Sequence, residues 1–468
     1  MEYVNVTQLL LALIVGLSLM MLLIMKTKIH AALALILAAG FVGMAGGMDI
    51  AGIPGIITSG FGNTLGGIGL VIAFGVMMGQ VIEESGAAKV MARTFINWLR
   101  GKNEELAIAV TGFLVSIPIF ADSGFIILSP LIRSISQNKK KSLTALGITL
   151  GVALCITHAT IPPTPGPLAV IGQFGGAIDL GTFMLFSFLM GIPVLAVGLM
   201  CGKFFGNKYY KYIDENGEIV EVSRENVQAI AKEAAQRTSI ELDPNEKYPS
   251  PLLSFAPIFV PVILILSASV LNMVASDASG MVPDMIRFLG APVFAVAIGL
   301  LVSIYGLARS EKRETVIATL EKGLASCGTI IIITGAGGAF GNIIRASGAG
   351  DAIAAQLVGM SFPTLFLPFL MAAILKFALG SGTVAMITTA SILAPIMLGM
   401  PGVNYILIAY AICMGSQVFS LQNDSLFWVV TRTLGMKKVK ETVFGWNATV
   451  FITSWASFAL LMVVSFIW

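Results

Sequence analysis

Ile117-Pro-Ile-Phe-Ala121-Asp122-Ser123-Gly124-Phe125 is the stretch on which the architecture turns. Apolar residues surround it from about 106 to 136, yet Ala121-Asp122-Ser123-Gly124 interrupts the run at its middle with polar and small residues. One continuous membrane helix has no reason to carry a carboxylate there, because an ionisable group deep in a bilayer is costly. Two half-length helices meeting at a polar tip account for the pattern. Such a re-entrant hairpin needs its tip to line a cavity or pack in protein, since lipid offers no partner for exposed backbone groups. A second stretch, 362–399, has the same form around Gly380-Ser381-Gly382-Thr383.

The rest of the chain supplies the membrane. Of its 468 residues 56% are hydrophobic and 11% charged, with a mean hydropathy of +0.91. A soluble domain carries about 25% charged residues, so a water-soluble enzyme and a disordered chain are both excluded. Runs at about 6–25, 30–46, 61–83, 143–172, 182–202, 251–274, 284–306, 324–344, 403–428 and 448–468 are near the ~20 residues a span needs. They predict ten crossings. The first, apolar from Leu9 to Met25, lacks a basic leader and a small-residue cleavage site and reads as a retained helix.

Charge tests this arrangement. With the N-terminus outside, the loops near Lys26 and Lys28, 84–105, 137–142, 203–250, 307–322 and 429–446 all fall inside. Of 28 Lys and Arg, all but Arg287, Arg345 and Lys376 lie in or beside them. Counting either hairpin as a crossing would scatter these charges to both sides, against the positive-inside rule. The hydrophilic stretch 205–250 is too short for a domain and reads as a cytoplasmic linker with a short helix. It separates two halves that match: Gly79-Gln-Val-Ile-Glu-Glu-Ser85-Gly86-Ala against Gly341-Asn-Ile-Ile-Arg-Ala-Ser347-Gly348-Ala, each before a hairpin with a Ser-Gly pair, Ser123-Gly124 and Ser381-Gly382. Five crossings and a hairpin per half is an odd number, so the second half is inverted. The expected fold is an all-α polytopic membrane protein of two inverted-topology repeats, 1–204 and 251–468, each five transmembrane helices plus one re-entrant hairpin. Broken helices in inverted repeats mark transporters, with the substrate held between the repeats.

Few residues are able to carry chemistry. A carboxylate removed from water exchanges protons near neutral pH, which makes Asp122 a candidate for proton coupling or for binding substrate hydroxyls; capping a half-helix is the competing role. Ser123, Gly124, Ser381, Gly382 and Thr383 frame the tips, where helix N-termini offer N–H groups and partial positive charge to an anion. Thr160-Ile-Pro-Pro-Thr164-Pro-Gly166-Pro cannot continue the helix that precedes it. Its freed backbone, with Thr160, Thr164 and Gly166, is a further binding candidate, and His158 just before it a third proton site. Ser416-Gln417 and Gln422-Asn423-Asp424-Ser425 break the matching span of the second half, adding Asn423 and Ser425 as ligands and Asp424 as a titratable group. Lys376 is the deep basic residue, placed to pair with a substrate carboxylate, Asp122 or Asp424. Asn63 and Thr64, in a glycine-rich helix start, are weaker candidates. Two histidines and four cysteines without CxxC spacing predict no metal site, no cofactor and no enzyme chemistry. A net charge of +3 predicts no nucleic-acid partner.

Gly62-Asn-Thr-Leu-Gly-Gly-Ile-Gly-Leu, Ile117–Phe125, Pro162-Pro-Thr-Pro-Gly-Pro and Gly380-Ser-Gly-Thr-Val-Ala with Asn423–Trp428, in this order, resemble the gluconate permease (GntP) family of secondary transporters, in the ion-transporter superfamily. The resemblance implies proton-driven import of a small hydroxylated monocarboxylate such as gluconate across a bacterial inner membrane. It also implies, by analogy, elevator-type motion and a homodimer among membrane lipids. Sodium coupling, or a role as membrane subunit of an ion-translocating complex, are the alternatives. Family members commonly have Phe-Glu-Val-Gly-Phe where this chain has Ala121–Phe125, histidine at Thr164 and arginine near Lys376. These departures cluster at the expected site and leave the particular carboxylate open.

Overall fold

The computed structural model describes residues 6–98, 103–222, 248–275, 277–349 and 364–468. The first half opens with α1 (Val6–Lys26), α2 (Ala31–Ala45), α3 (Ile53–Glu84) and α4 (Ala87–Trp98). The pair α5 (Glu104–Val115) and α6 (Ala121–Lys139) follows, then α7 (Leu143–Thr160), α8 (Pro165–Gln173) and α9 (Leu180–Lys208). A hairpin of β1 (Lys211–Ile213) and β2 (Ile219–Glu221) comes next. The second half holds α10 (Pro251–Val274), α11 (Met281–Gly290) with α12 (Pro292–Val302), α13 (Arg313–Ala346), the pair α14 (Phe366–Leu379) and α15 (Gly382–Leu398), α16 (Tyr405–Gly415) with α17 (Ser425–Thr433), and α18 (Ala448–Val464).

Among the described residues six helices are long and apolar enough to cross a membrane: 53–84, 143–173, 180–208, 251–272, 313–346 and 439–464. α11 and α12, bent by 70° at Ala291, make a seventh if taken as one span. The expected spans at 6–25, 30–46 and 403–428 are shorter apolar helices, so length alone supports fewer than ten crossings. Outward-facing apolar side chains such as Met200, Phe204, Leu252 and Val274 are 65–81% exposed, a surface that suits hydrocarbon and not water.

The two longest helices, α3 and α13, lie against each other antiparallel: Gly60 meets Gly338 and Asn342, Phe61 meets Gly335, and Met77 and Gln80 meet Gly323. Small residues let the backbones approach this closely. Both helices end in the same way. Ser85 and Ser347 each donate to the carbonyl three residues back at 3.1 Å and accept from the N–H two residues on at 3.4 Å. Gly86 and Gly348 then turn the chain, both at φ +73°, a conformation glycine adopts without strain.

Around this pair stand the broken helices. The α7–α8 unit is the most enclosed, with 94% of its apolar window buried. Glycines admit its neighbours: Gly112 of α5 meets Leu150 and Ala153, Gly124 of α6 meets Leu154, and Gly191 and Gly198 of α9 meet Ile156 and Val152.

Three expectations are corrected. The fold is helical but not all-α, because residues 211–221 form an antiparallel β-hairpin; the linker's 223–247, where a short helix has room, lie outside the described residues. The first chain break falls at 116–120, so Ala121–Gly124 is the first turn of α6 and not a tip loop. Pro118 cannot donate a helical hydrogen bond, and Ser116, bonded to the carbonyls of Ile119 (3.2 Å) and Leu154 (3.0 Å), fixes the turn there. The two Ser-Gly pairs are consequently not equivalent: Ser381 is the N-cap of α15, a place Phe120 holds in α6.

Candidate functional site

A cavity of about 360 Å³ opens where the chain breaks at 116–120, 380–381 and 416–424 converge. The N-terminal turns of α6, α15 and α17 point at it, with His158 near the end of α7. Each turn brings N–H groups that no intrahelical carbonyl satisfies, and a partial positive charge. Ser381 caps α15 by accepting from Val384 N at 3.4 Å, and Asp424 caps α17 by accepting from Leu426 N at 3.3 Å.

The charged groups form one network. Lys376 Nζ lies 2.9 Å from Asp424 Oδ2 and donates to the Gly380 carbonyl at 2.6 Å. An ammonium has three protons, so one stays available toward the cavity. Asp424 Oδ2 also accepts from the Ser420 hydroxyl at 2.7 Å, which in turn accepts from Trp446 Nε1 at 2.9 Å. Asp122 Oδ2 accepts from the Ser425 hydroxyl, which ties α6 of the first half to α17 of the second. His158 packs against Phe120 with ring centroids 5.5 Å apart and planes tilted by 51°, and its buried Nδ1 makes no hydrogen bond among the described residues. Asp122, Lys376 and Asp424 are the charges that act on it. Asn423 Nδ2 donates to the Phe377 carbonyl at 3.0 Å and holds the 416–424 segment on α14. The Asn423 carbonyl packs so close to Gly380 that a side chain there has no room.

Of the residues singled out from sequence, Asp122, His158, Lys376, Ser381, Gly382, Thr383, Asn423, Asp424 and Ser425 line this cavity. Five others do not. The Ser123 side chain lies beside the Glu83 carboxylate at the end of α3. Gly124 is filled against Leu154 and Gly166 against Met386. Thr160 and Thr164 turn their hydroxyls back to the carbonyls of Ile156 (2.7 Å) and Ile161 (2.6 Å) and are buried. Asn63 and Thr64 line a different cavity, of about 770 Å³.

Thr329, Ile330 and Ile333 of α13 were missed; they close the cavity from the long-helix pair. Their signal was Thr329 itself, a hydroxyl followed by the apolar run Ile330–Ile333. Gln417 also lines the wall, 3.2 Å from the Ser416 hydroxyl.

The β-hairpin braces the outer end of these elements. Lys211 Nζ reaches Glu441 at 2.8 Å and the Gly435 carbonyl at 2.6 Å, with both charged side chains buried. Tyr210 donates to the Lys140 carbonyl at 2.8 Å, and burial pushes its phenol up to about 12, so it remains a donor. Gln137 Nε2 donates to the Asp214 carbonyl at 2.9 Å.

Comparison with known proteins gives one consistent answer. The family model for GntP family permeases matches residues 8–467. A Haemophilus influenzae protein described as an uncharacterized permease is 41% identical over 93% of this chain and 88% of its own length. A gluconate permease of Pseudomonas aeruginosa is 34% identical over 95% of each chain. Among solved structures, the YdaH transporter of Alcanivorax borkumensis superimposes with a TM-score of 0.60 over 90% of each chain at 17% identity, a likeness of fold.

Proposed function

Since the chain belongs to the GntP family of permeases, multi-pass transporters of the bacterial inner membrane, we propose that it imports a gluconate-like hydroxylated monocarboxylate together with protons. The observation that carries this reading is the charge balance of the 360 Å³ cavity. Two carboxylates, Asp122 and Asp424, face one ammonium, Lys376, which Asp424 already holds. With His158 neutral the site sums to one negative charge. A carboxylate substrate entering this half-buried site meets repulsion, which the surrounding protein strengthens relative to bulk water. A proton on Asp122 removes it, so anion and proton are best bound together. The remaining Lys376 proton and the N–H groups at the starts of α6, α15 and α17 then receive the carboxylate. Thr383, Ser381, Gln417 and Asn423 offer partners for substrate hydroxyls.

The two halves act as inverted repeats in this account, each with a re-entrant hairpin, α5–α6 and α14–α15. The antiparallel α3–α13 pair and the matched Ser-Gly ends of those helices support it. The long pair is the scaffold of an elevator-type transporter and the broken helices are the moving unit. The polar end with the β-hairpin faces the cytoplasm, where the positive loops belong.

Purified protein in proteoliposomes tests the reading. Under an inward-directed proton gradient, labelled gluconate should accumulate against its own gradient. A sodium gradient without a pH gradient should not drive it; sodium-driven accumulation at uniform pH would replace the proton by Na⁺.

A further inference from the structure

The pairing that sets Gly79 on Gly341 and Ser85 on Ser347 also sets Gly67 on Thr329, Ile68 on Ile330 and Val71 on Ile333. Each of these two triplets walls a cavity. Thr329, Ile330 and Ile333 close the 360 Å³ cavity from α13, and Gly67, Ile68 and Val71 wall the 770 Å³ cavity from α3. The halves differ in how far their broken helices have slid along the long helices. On α3, Gly79 meets the Pro118 and Ile119 backbone, the turn between α5 and α6, and Ser123 reaches Glu83. On α13 the corresponding Gly341 meets Ser391 and Pro395, far along α15 from its start, while that start faces Thr329–Ile333.

We infer that the larger cavity is the substrate's second station, in which Gly67, Ile68 and Val71 replace Thr329, Ile330 and Ile333 as the fixed wall of the binding site. The inference rests on the inverted-repeat transport reading above. If the halves exchange their arrangements, the start of α6 moves from the level of Gly79 to that of Ile68. Eleven residues at 1.5 Å rise make about 17 Å. The start of α15 then meets Gly341 and Arg345. The moving side chains around the substrate, Asp122, Lys376 and Asp424, travel together because the Asp122–Ser425 contact joins the halves and the Lys376–Asp424 pair ties α14 to α17. The fixed wall changes from a hydroxyl at Thr329 to a bare backbone at Gly67, so the second station is roomier and offers one hydroxyl fewer at that position.

Two cysteine pairs separate the stations, in a background without the four native cysteines. Glu83→Cys with Ser123→Cys traps the arrangement seen here. Arg345→Cys with Val384→Cys, their repeat counterparts, traps the exchanged one. Into each pair goes a reporter, Ile330→Cys or Ile68→Cys, alkylated after the pair has been oxidised, with gluconate as the probe. At gluconate four times its dissociation constant free sites fall about fivefold, and alkylation of the wall in use slows by the same factor. The expected result is protection of Ile330→Cys in the first trapped form and of Ile68→Cys in the second. Failure of the Arg345–Val384 pair to cross-link, where the Glu83–Ser123 pair does, overturns the inference. So does protection of Ile330→Cys in both forms. Protection of neither reporter, with both cross-links formed, counts against gluconate as substrate and leaves the exchange of walls upheld by the cross-links.

Discussion

Lys376 Nζ and Asp424 Oδ2 stand 2.9 Å apart, with 4% and 12% of their side chains exposed, and they join the last turn of α14 to the N-cap of α17. Each helix interruption alone would leave a charge stranded; together they cancel one another beside the cavity. A buried ion pair is weak evidence for stability in itself, but removing one member leaves the other uncompensated at a cost of about 3–5 kcal/mol. Lys376→Met and Asp424→Asn should therefore each lower the thermal unfolding temperature of the purified protein and abolish uptake. The double variant Lys376→Met/Asp424→Asn should unfold at a higher temperature than either single one. Additive losses would show that the pair is not coupled.

Thr160 and Thr164 make the opposite prediction. Their hydroxyls are satisfied by Ile156 and Ile161 carbonyls and lie outside the cavity. Valine at either position should leave the KM for substrate within about twofold of the parent, since the local bonds lost are each worth about 1 kcal/mol to folding and nothing to binding. Thr383→Val, on the cavity wall, should raise KM instead. Initial uptake rates over a substrate series check both.

These threonines also show where sequence reading stopped. Helix breaks were legible because four prolines in six residues and a carboxylate in an apolar run have few explanations. Which side of a break faces a cavity was not, because hydroxyl orientation depends on the carbonyls left free, and those appear only with the fold. Ser123-Gly124 and Ser381-Gly382 matched as letters, yet the turn at Pro118 sets one pair inside a helix and the other at its cap. Thr329 was overlooked because it sits on a helix that is continuous; only the packing of α15 against α13 brings it to the cavity.

The glycines divide by contact. A methyl added at Gly338 would strike the Thr64 side chain and the Gly60 carbonyl, in the heart of the α3–α13 pair, whereas Gly66 has nothing within 4 Å. Gly338→Ala should lower the yield of folded protein and its unfolding temperature. Gly66→Ala should be neutral or raise stability by up to about 1 kcal/mol, through helix propensity. Unfolding curves of both variants in detergent decide it; equal loss would deny the close packing of the long pair.

Lys211 and Glu441 pin the β-hairpin to the 435–441 loop. Lys211→Ala leaves Glu441 buried without its partner and should loosen the hairpin. Limited chymotrypsin digestion, which cuts after Tyr209, Tyr210 and Tyr212 and loses no site in the variant, should then cleave this region faster than in the parent protein. An unchanged rate would mean that Tyr210 and Gln137 hold it alone.

The central claim is that Asp122 carries the proton that lets an anion enter a site of negative charge. Asp122→Asn keeps the shape and the Ser425 contact in reach while fixing the site in its neutral form. In proteoliposomes loaded with unlabelled gluconate, this variant should exchange internal for external labelled gluconate at a rate near that of the parent. Under an imposed proton gradient it should show no accumulation above equilibrium. Accumulation equal to the parent's under the same gradient would contradict the account.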